Sequence, residues 1–582
     1  MECNFYTSER NVQILIAILK ANGIKKVIAS PGTTNYTFVA SIQQDSFFEI
    51  YSSVDERSAA YIACGLAAET EEPVVITCTG ATASRNYMPG LTEAFYRKLP
   101  VLALTSNQGN YKIGNHIAQV IDRRSIPNDI ACLSVDIPLV KDKDDEWYST
   151  VKINEAIQEL FHHGGGPVHV NLATGYSRDF SVKELPPTRL IRRICSGNKF
   201  PEIPDGRIGI FVGAHKRFTS KLTECVDKFC STHNGVVFCD HTSNYFGKYR
   251  VNCSLLASQD RYSSDLMKAD LLIHIGEVSG EYYGIGRING KQTWRINEDG
   301  KIRDTFRTLT YVFEMKEEDF FQYYAEDYGN QSSYYDSIVE ENKKLLSVIP
   351  ELPFSNIWMA SQLSKMIPQH SVMHFGILGS LRAWNFFEVA GLEMESCNTG
   401  GFGIDGGLST LIGASLANPD KLHFGIIGDL AFFYDLNSLG NRHIGKNLRI
   451  MLVNNGKGAE FRLYWHPASV FKEKADDFMA AAGHFAHKSP SLVKHYAQDL
   501  GFKYITASSK EEFLSVYSEF VEPKIEQSVI FEVFTKSEDE DAALYGVRNF
   551  IEDSSYKLRQ IKGIVKDVLG DKVTHTLTKL IK

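Results

Sequence analysis

Residues 423–430, HFGIIGDL, and 450–457, IMLVNNGK, decide the fold. Each is a short apolar run ending on a polar pair, the pattern of a strand buried on both faces. Read as neighbouring parallel strands, they bring Gly428-Asp429-Leu430 and Asn454-Asn455 to one sheet edge, because strand C-termini share an edge in a parallel sheet. A helix is expected between them, over about Tyr434 to Ile444. A carboxylate beside a carboxamide suits Mg²⁺, which takes oxygen ligands and fills its octahedron from phosphate, backbone and water. Asp429, Asn455 and the carbonyl of Lys457 are the expected metal ligands, and the helix N-terminus after Asp429 offers N–H groups to a diphosphate. The alternative is an ordinary strand-end Asp with a turn-forming Asn-Asn-Gly.

Outward from these strands the same alternation continues. A segment starting near Phe354 adds strands at Ser371 to Phe375 and Val529 to Val533. The first third carries strands at Lys26 to Ser30, Pro73 to Cys78, Pro100 to Thr105 and Val168 to Leu172, between helical stretches. A second α/β stretch runs from Gly206 to about Phe313. Pro186, Pro187, Pro201 and Pro204 mark a linker over Lys183 to Asp205, and a Tyr-rich helical connection spans Glu317 to Ser347. The fold class is α/β, with three domains of mainly parallel sheet covered by helices, at 1–185, 200–320 and 354–545. A tail at 546–582 reads as amphipathic helix, either docked on the protein or touching a partner.

The chain has 582 residues and a net charge of −8, too mild for a polyanion-binding surface. Its 10 cysteines form no C-x-x-C pair, so structural zinc is not expected and buried free thiols are. No basic-then-apolar leader opens the sequence and no run of about 18 apolar residues occurs. The expected location is the cytoplasm, with neither nucleic acid nor membrane as partner.

Two further motifs join the metal pair. Val54-Asp55-Glu56-Arg57-Ser58 sits at a strand–helix junction, and Gly403-Ile404-Asp405-Gly406-Gly407 is a Gly-rich turn. Thiamine diphosphate uses all three features. Its C2 proton is taken by its own 4′-imino group when a carboxyl group hydrogen-bonds the far pyrimidine nitrogen. A glutamate in an apolar pocket, where burial raises its pKa, suits that task, and Glu56 is the candidate. A bulky apolar side chain under the bend of the cofactor brings its rings together, and Ile404 is the candidate. Taken singly, Glu56 also fits a surface acid at a helix N-terminus, and Ile404 an ordinary turn.

These motifs, with VDERSAAYIACGLA (54–67), CTGATASRNYMPGLTEAFYRKLPVLALT (78–105), IDGGLST (404–410) and GDLAFFYDLNSL (428–439), resemble the thiamine-diphosphate-dependent decarboxylase and carboligase superfamily. Within it the likeness is to the menaquinone-pathway synthases, which join 2-oxoglutarate to isochorismate. The resemblance implies pyrimidine-binding, central and diphosphate-binding domains in that order. It also implies thiamine diphosphate and Mg²⁺ as cofactors, a 2-oxo acid donor with a carbonyl or alkene acceptor, and a homodimer or homotetramer. It makes Glu56 the activating glutamate and Ile404 the wedge, and adds Gln119 and His116 as active-site residues. It gathers Gly379, Ser380, Phe402, Gly428, Leu430 and Ala431 around the cofactor with Asp429 and Asn455.

The sequence also departs from that family. Thr34, Gln108 and Thr399 stand where the synthases carry arginines that grip substrate carboxylates. Each charge-assisted hydrogen bond is worth about 1.5–3 kcal/mol, so losing three weakens a polyanionic substrate pair by powers of ten. The expected reaction is therefore decarboxylation followed by carboligation to an acceptor other than isochorismate. The alternatives are a simple 2-oxo-acid decarboxylase, the menaquinone-pathway synthase itself, and a non-catalytic protein of this fold, which intact Glu56, Asp429 and Asn455 argue against. Glu460 stands where the family has an apolar residue facing C2. It reads as a general acid or base, as an anchor for a hydroxyl-rich acceptor, or as a solvated turn residue.

Overall fold

The computed structural model describes residues 5–325, 329–485, 488–524 and 526–552. The chain forms two compact units, Met1–Phe200 with Glu298–Glu314, and Pro201–Asn297 with Met315–Lys582. Three parallel-sheet α/β domains are built within this arrangement.

In the first unit six parallel strands lie in the order Glu49–Ser52, Lys26–Ala29, Val74–Cys78, Val101–Asn107, Val168–Ala173, Leu133–Ile137. The inner strand Val74–Cys78 is buried at every position, as an apolar, β-branched run covered on both faces requires. The helix Glu56–Thr70 starts where Asp55 accepts the N–H of Arg57. Its buried face is alanine-rich, with Ala59, Ala60, Ala63 and Ala67, so its neighbour Met88–Tyr96 comes close at Gly90. A Cβ there would stand 2.5 Å from that of Ala60.

The second unit holds a further six-stranded parallel sheet in the order Met394–Cys397, Val372–Phe375, His423–Gly428, Leu448–Asn454, Val529–Phe534, Lys503–Ala507. In both outer sheets the strands run second, first, third, fourth, sixth, fifth. The chain reverses direction across the sheet between Val372–Phe375 and His423–Gly428, and parallel sheets bind ligands at the carboxyl ends of strands flanking such a switch. The central strands Arg250–Asn252, Gly235–Cys239, Ile208–Val212, Lys268–Ile275 and Asn289–Asn297 are parallel and belong to the same unit.

Several expected elements differ. The stretch read as a linker contains a strand, Arg192–Cys195, which pairs in parallel with Leu309–Glu314 in the first unit. The single connection expected over 317–347 is two helices, Glu317–Tyr324 and Ser333–Ser347. The helix expected over 434–444 starts earlier, as Asp429–Tyr434, and gives way to a 3₁₀ turn at Leu436–Gly440. The helix Ser537–Asn549 precedes the amphipathic tail, most of which lies outside the described residues. Among the described residues no helix is long and apolar enough to cross a membrane.

Candidate active site

The switch point of the C-terminal sheet opens into a cavity of about 310 Å³. Ile377 to Ser380, Arg382, Ile404, Gly428 to Ala431, and Asn455 with Lys457 to Phe461 form most of its wall. Gly379, Ser380, Ile404, Gly428, Asp429, Leu430, Ala431, Asn455, Lys457 and Glu460 are thereby brought together, although the sequence scatters them beyond the ends of four strands. Phe402 is not among the lining residues; it stands on a turn with φ 55° and its side chain is exposed. Leu378, also in the left-handed region at φ 67°, forms part of the wall, and strain of this kind gathers at ligand sites.

Asp429 is 4% exposed, and its carboxylate accepts the N–H of Leu430 at 2.7 Å and of Gly456 at 2.5 Å. Burial nevertheless raises its pKa to about 6, the donated N–H groups from the 455–457 turn pulling the other way. The pleat of Leu448–Asn454 sends Asn454 into the sheet, where its Nδ2 donates to Glu532 at 2.7 Å, and leaves the next residue, Asn455, to the cavity. The ammonium of Lys457 is held by Asp476 at 2.7 Å, so at this position the backbone is left to meet a ligand.

Glu460 is not a solvated turn residue. Its Oε1 accepts from Arg382 Nη1 at 2.5 Å, and the two side chains are 14% and 6% exposed. The Arg382 guanidinium lies 4.0 Å from the ring centre of Tyr282, with Tyr283 and Trp465 farther out. Glu460 Oε2 is buried and has no hydrogen-bond partner among the described residues. Arg462, the other cation close in sequence, is engaged by Asp476 at 2.8 Å.

One acid of this cavity carries no sequence signal. Glu540 is buried in its wall, accepting the N–H of Asn356 at 3.0 Å and the Thr535 hydroxyl at 2.8 Å. Burial pushes its pKa up to about 7, with Asp539 and Asp429 adding to the effect. It belongs to the acidic run 538–541, which in sequence reads as a solvated helix start.

The other candidates lie in the first unit. Glu56 begins the helix Glu56–Thr70 and is half-buried rather than enclosed in an apolar pocket. Beside it Val54 is 78% exposed, and Tyr61 and Ile62 are exposed as well. His116 (φ 52°) and Gln119 (φ 63°) sit on an exposed loop. The residues at the three arginine positions are engaged locally. Thr34 is buried, its hydroxyl 2.6 Å from that of Thr79; Gln108 accepts from Lys112 at 3.0 Å; Thr399 is buried in the second unit. The first unit does hold a buried guanidinium that sequence reasoning missed. Arg123 Nη2 donates to the carbonyl of Ser106 at 2.8 Å, while Nε and Nη1 have no partner among the described residues.

The family model described as "Thiamine pyrophosphate enzyme, N-terminal TPP binding domain" matches residues 10–126. The 2-succinyl-5-enolpyruvyl-6-hydroxy-3-cyclohexene-1-carboxylate synthase of Bacteroides thetaiotaomicron is 29% identical over 575 residues, covering 95% of this chain and 100% of the relative. The same-named proteins of Phocaeicola vulgatus and Flavobacterium johnsoniae are 29% and 28% identical, over 94% and 91% of this chain and 99% and 97% of their own lengths.

Proposed function

We propose that this chain is a thiamine-diphosphate-dependent enzyme that decarboxylates a 2-oxo acid and joins the remaining acyl unit to a second substrate. The observation that carries this is a likeness to the synthases running over 95% of the chain and 100% of a relative, so it covers substrate-binding segments as well as cofactor motifs. It favours the synthase reaction itself, 2-oxoglutarate with isochorismate, over the different acceptor expected from Thr34, Gln108 and Thr399. Arg123 supports that preference: its Nε and Nη1, without a partner among the described residues, are suited to a substrate carboxylate.

The cavity of the second unit fits a diphosphate held through a divalent cation. A Cβ on Gly379 or Gly428 would meet no protein atom, so both glycines leave room along the wall. Asp429 is a buried carboxylate without a cationic hydrogen-bond partner among the described residues, which a dication would balance. Asp429, Asn455 and the Lys457 carbonyl would hold Mg²⁺; Gly379, Ser380, Gly428, Leu430 and Ala431 would border the diphosphate, and Ile404 would support the bend. Bound thiamine diphosphate supplies a nucleophilic carbon and an electron sink for loss of CO₂. Glu56 would hold the proton shared with the far pyrimidine nitrogen, and Gln119 and His116 would add polar groups from their loop. The exposed apolar side chains beside Glu56 support a homodimer or homotetramer in which a second subunit covers that face.

A second reading, an acceptor other than isochorismate, is favoured by Glu460. Its free oxygen accepts an O–H or N–H and repels a carboxylate. Purified enzyme with thiamine diphosphate, Mg²⁺, 2-oxoglutarate and isochorismate separates the two. Adduct formed at about 1 s⁻¹ or faster, the low end of ordinary enzymes, is expected. CO₂ release without adduct would move the assignment to the second reading, and no CO₂ from any of a panel of 2-oxo acids would refute both.

A further inference from the structure

A separate cluster in the first unit has the chemistry of a transition-metal site. The helix Lys143–Glu159 runs into a turn bearing His162 and His163, and Glu314 ends the strand Leu309–Glu314. His162 Nε2 lies 2.9 Å from one oxygen of Glu314, and His163 Nε2 lies 2.7 Å from the other. The potential ligand atoms of these three residues all fall within 4.8 Å of one another.

Hydrogen-bond accounting points to a cation. Carboxylates only accept, and a neutral imidazole has one N–H. Yet His162 faces two carboxylates, Glu159 at Nδ1 (3.0 Å) and Glu314 at Nε2 (2.9 Å). Either an imidazolium donating from both nitrogens or a metal on Nε2 resolves this; with the metal, Nδ1–H donates to Glu159. That is the carboxylate–histidine–metal arrangement which fixes the ring and raises its basicity. Glu159 is itself held by Arg193 Nη2 at 2.8 Å, so its charge is already balanced. Glu314 shares that guanidinium only at long range, its Oε2 lying 3.7 Å from Arg193 Nε, and otherwise faces the two imidazoles. Gly300 leaves the space: a Cβ there would collide with the Glu314 carboxylate, while its carbonyl accepts from Arg193 Nε at 3.0 Å. The absence of C-x-x-C pairs from the sequence bears only on thiolate sites and says nothing about this one.

We propose that His162, His163 and Glu314 bind a zinc-type divalent transition metal, which clips the segment 298–314 to the end of the helix Lys143–Glu159. Two nitrogens and a carboxylate oxygen form a zinc donor set, the fourth position falling to water or to Cys195, whose sulfur is 3.7 Å from Glu314. Bonds of about 2.0–2.1 Å place tetrahedral ligand atoms roughly 3.3 Å apart, so binding needs an opening of about half an ångström. His163, with its side chain 74% exposed, is free to swing by that amount.

The test uses the full chain stripped of metal, then saturated with thiamine diphosphate and Mg²⁺ so that the other cation site is filled. Titration with Zn²⁺, and with Co²⁺ for its visible d–d bands, is expected to give one ion per chain and a rise in melting temperature. His163→Ala and Glu314→Gln should each weaken Zn²⁺ at least tenfold, and Glu159→Gln by about 10–100-fold. Asp429→Ala should leave Zn²⁺ binding intact. Because His163 is largely exposed, its variant should melt with the metal-free wild type, which separates ligation from folding. No stoichiometric Zn²⁺, equal affinity in wild type and His163→Ala, or loss of Zn²⁺ in Asp429→Ala would each overturn the proposal.

Discussion

Replacing Glu460 by Gln changes one atom in the cavity and removes one charge. The wild-type pair with Arg382 is short, at 2.5 Å, and both partners are nearly buried. A charge-assisted hydrogen bond is worth about 1.5–3 kcal/mol and a neutral one about 0.5–1.5, so Glu460→Gln should cost roughly 1–2 kcal/mol of stability. Glu460→Ala, which takes away the accepting oxygen as well as the charge, should cost about 3–5 kcal/mol. Tyr282, Tyr283 and Trp465 around Arg382 offset part of either loss through cation–π contact. Thermal melts of both variants and of the Arg382→Met double mutants give the coupling energy. Calorimetric titration checks that thiamine diphosphate affinity is unchanged within a few-fold. CO₂ release and product formation are then followed separately. If Oε2 anchors the second substrate, Glu460→Gln keeps CO₂ release and lowers product at least tenfold. Unchanged product formation would refute an anchoring role. A rise in turnover with a dicarboxylate acceptor would show instead that Glu460 masks Arg382.

Asp429→Ala should weaken thiamine diphosphate at least a hundredfold in the presence of Mg²⁺, about 3 kcal/mol, and titration calorimetry giving wild-type affinity would remove Asp429 from the site. Glu56→Gln preserves shape but not proton exchange; kcat should fall by about 10²–10⁴ with cofactor affinity kept, and activity within a few-fold of wild type would reassign the glutamate. His169 is buried between the hydroxyls of Thr105 (2.7 Å) and Ser134 (2.8 Å), and burial lowers its pKa to about 3. Its folded pKa lies below the ordinary 6.5, so its contribution is complete above about pH 6.5 and is lost as pH falls towards 3, by roughly 2 kcal/mol at pH 5. His169→Gln should therefore lose less melting temperature than wild type between pH 7 and 5; an identical slope would refute the assignment.

What was legible in the sequence follows from burial. Val74–Cys78 and His423–Gly428 are covered on both faces, so unbroken apolar runs betray them, and the polar residues that end such runs mark the ligand edge. Arg192–Cys195 was hidden because it is short, only partly buried and set among prolines. Glu540 was hidden because its burial comes from packing against Asn356, far away in sequence. The pairing of Glu460 with Arg382 spans 78 positions, and no local pattern announces it. The enclosure expected around Glu56 is not found locally: Val54, Tyr61 and Ile62 near it are exposed.

The Arg382–Glu460 pair also connects the two readings of the acceptor. The synthases use arginines to hold substrate carboxylates, and this cavity keeps an arginine already holding a carboxylate of its own. A carboxylate-bearing substrate reaching Arg382 must displace Glu460 or share the guanidinium with it, and either puts two anions within a few ångströms. At about 4 Å, with an effective dielectric near 20, such a repulsion is on the order of 4 kcal/mol. Glu540 is positioned to lessen it, since burial keeps that acid protonated up to about pH 7 and spares the cavity one more negative charge. A substrate offering hydroxyls meets no such penalty and finds Glu460 Oε2 with no competing partner among the described residues. Among the described residues Arg123, in the first unit, has no partner for Nε and Nη1 and no carboxylate hydrogen-bonded to it. Arg123→Met tests whether that guanidinium takes a substrate carboxylate: KM for 2-oxoglutarate or isochorismate should rise while thiamine diphosphate affinity stays unchanged.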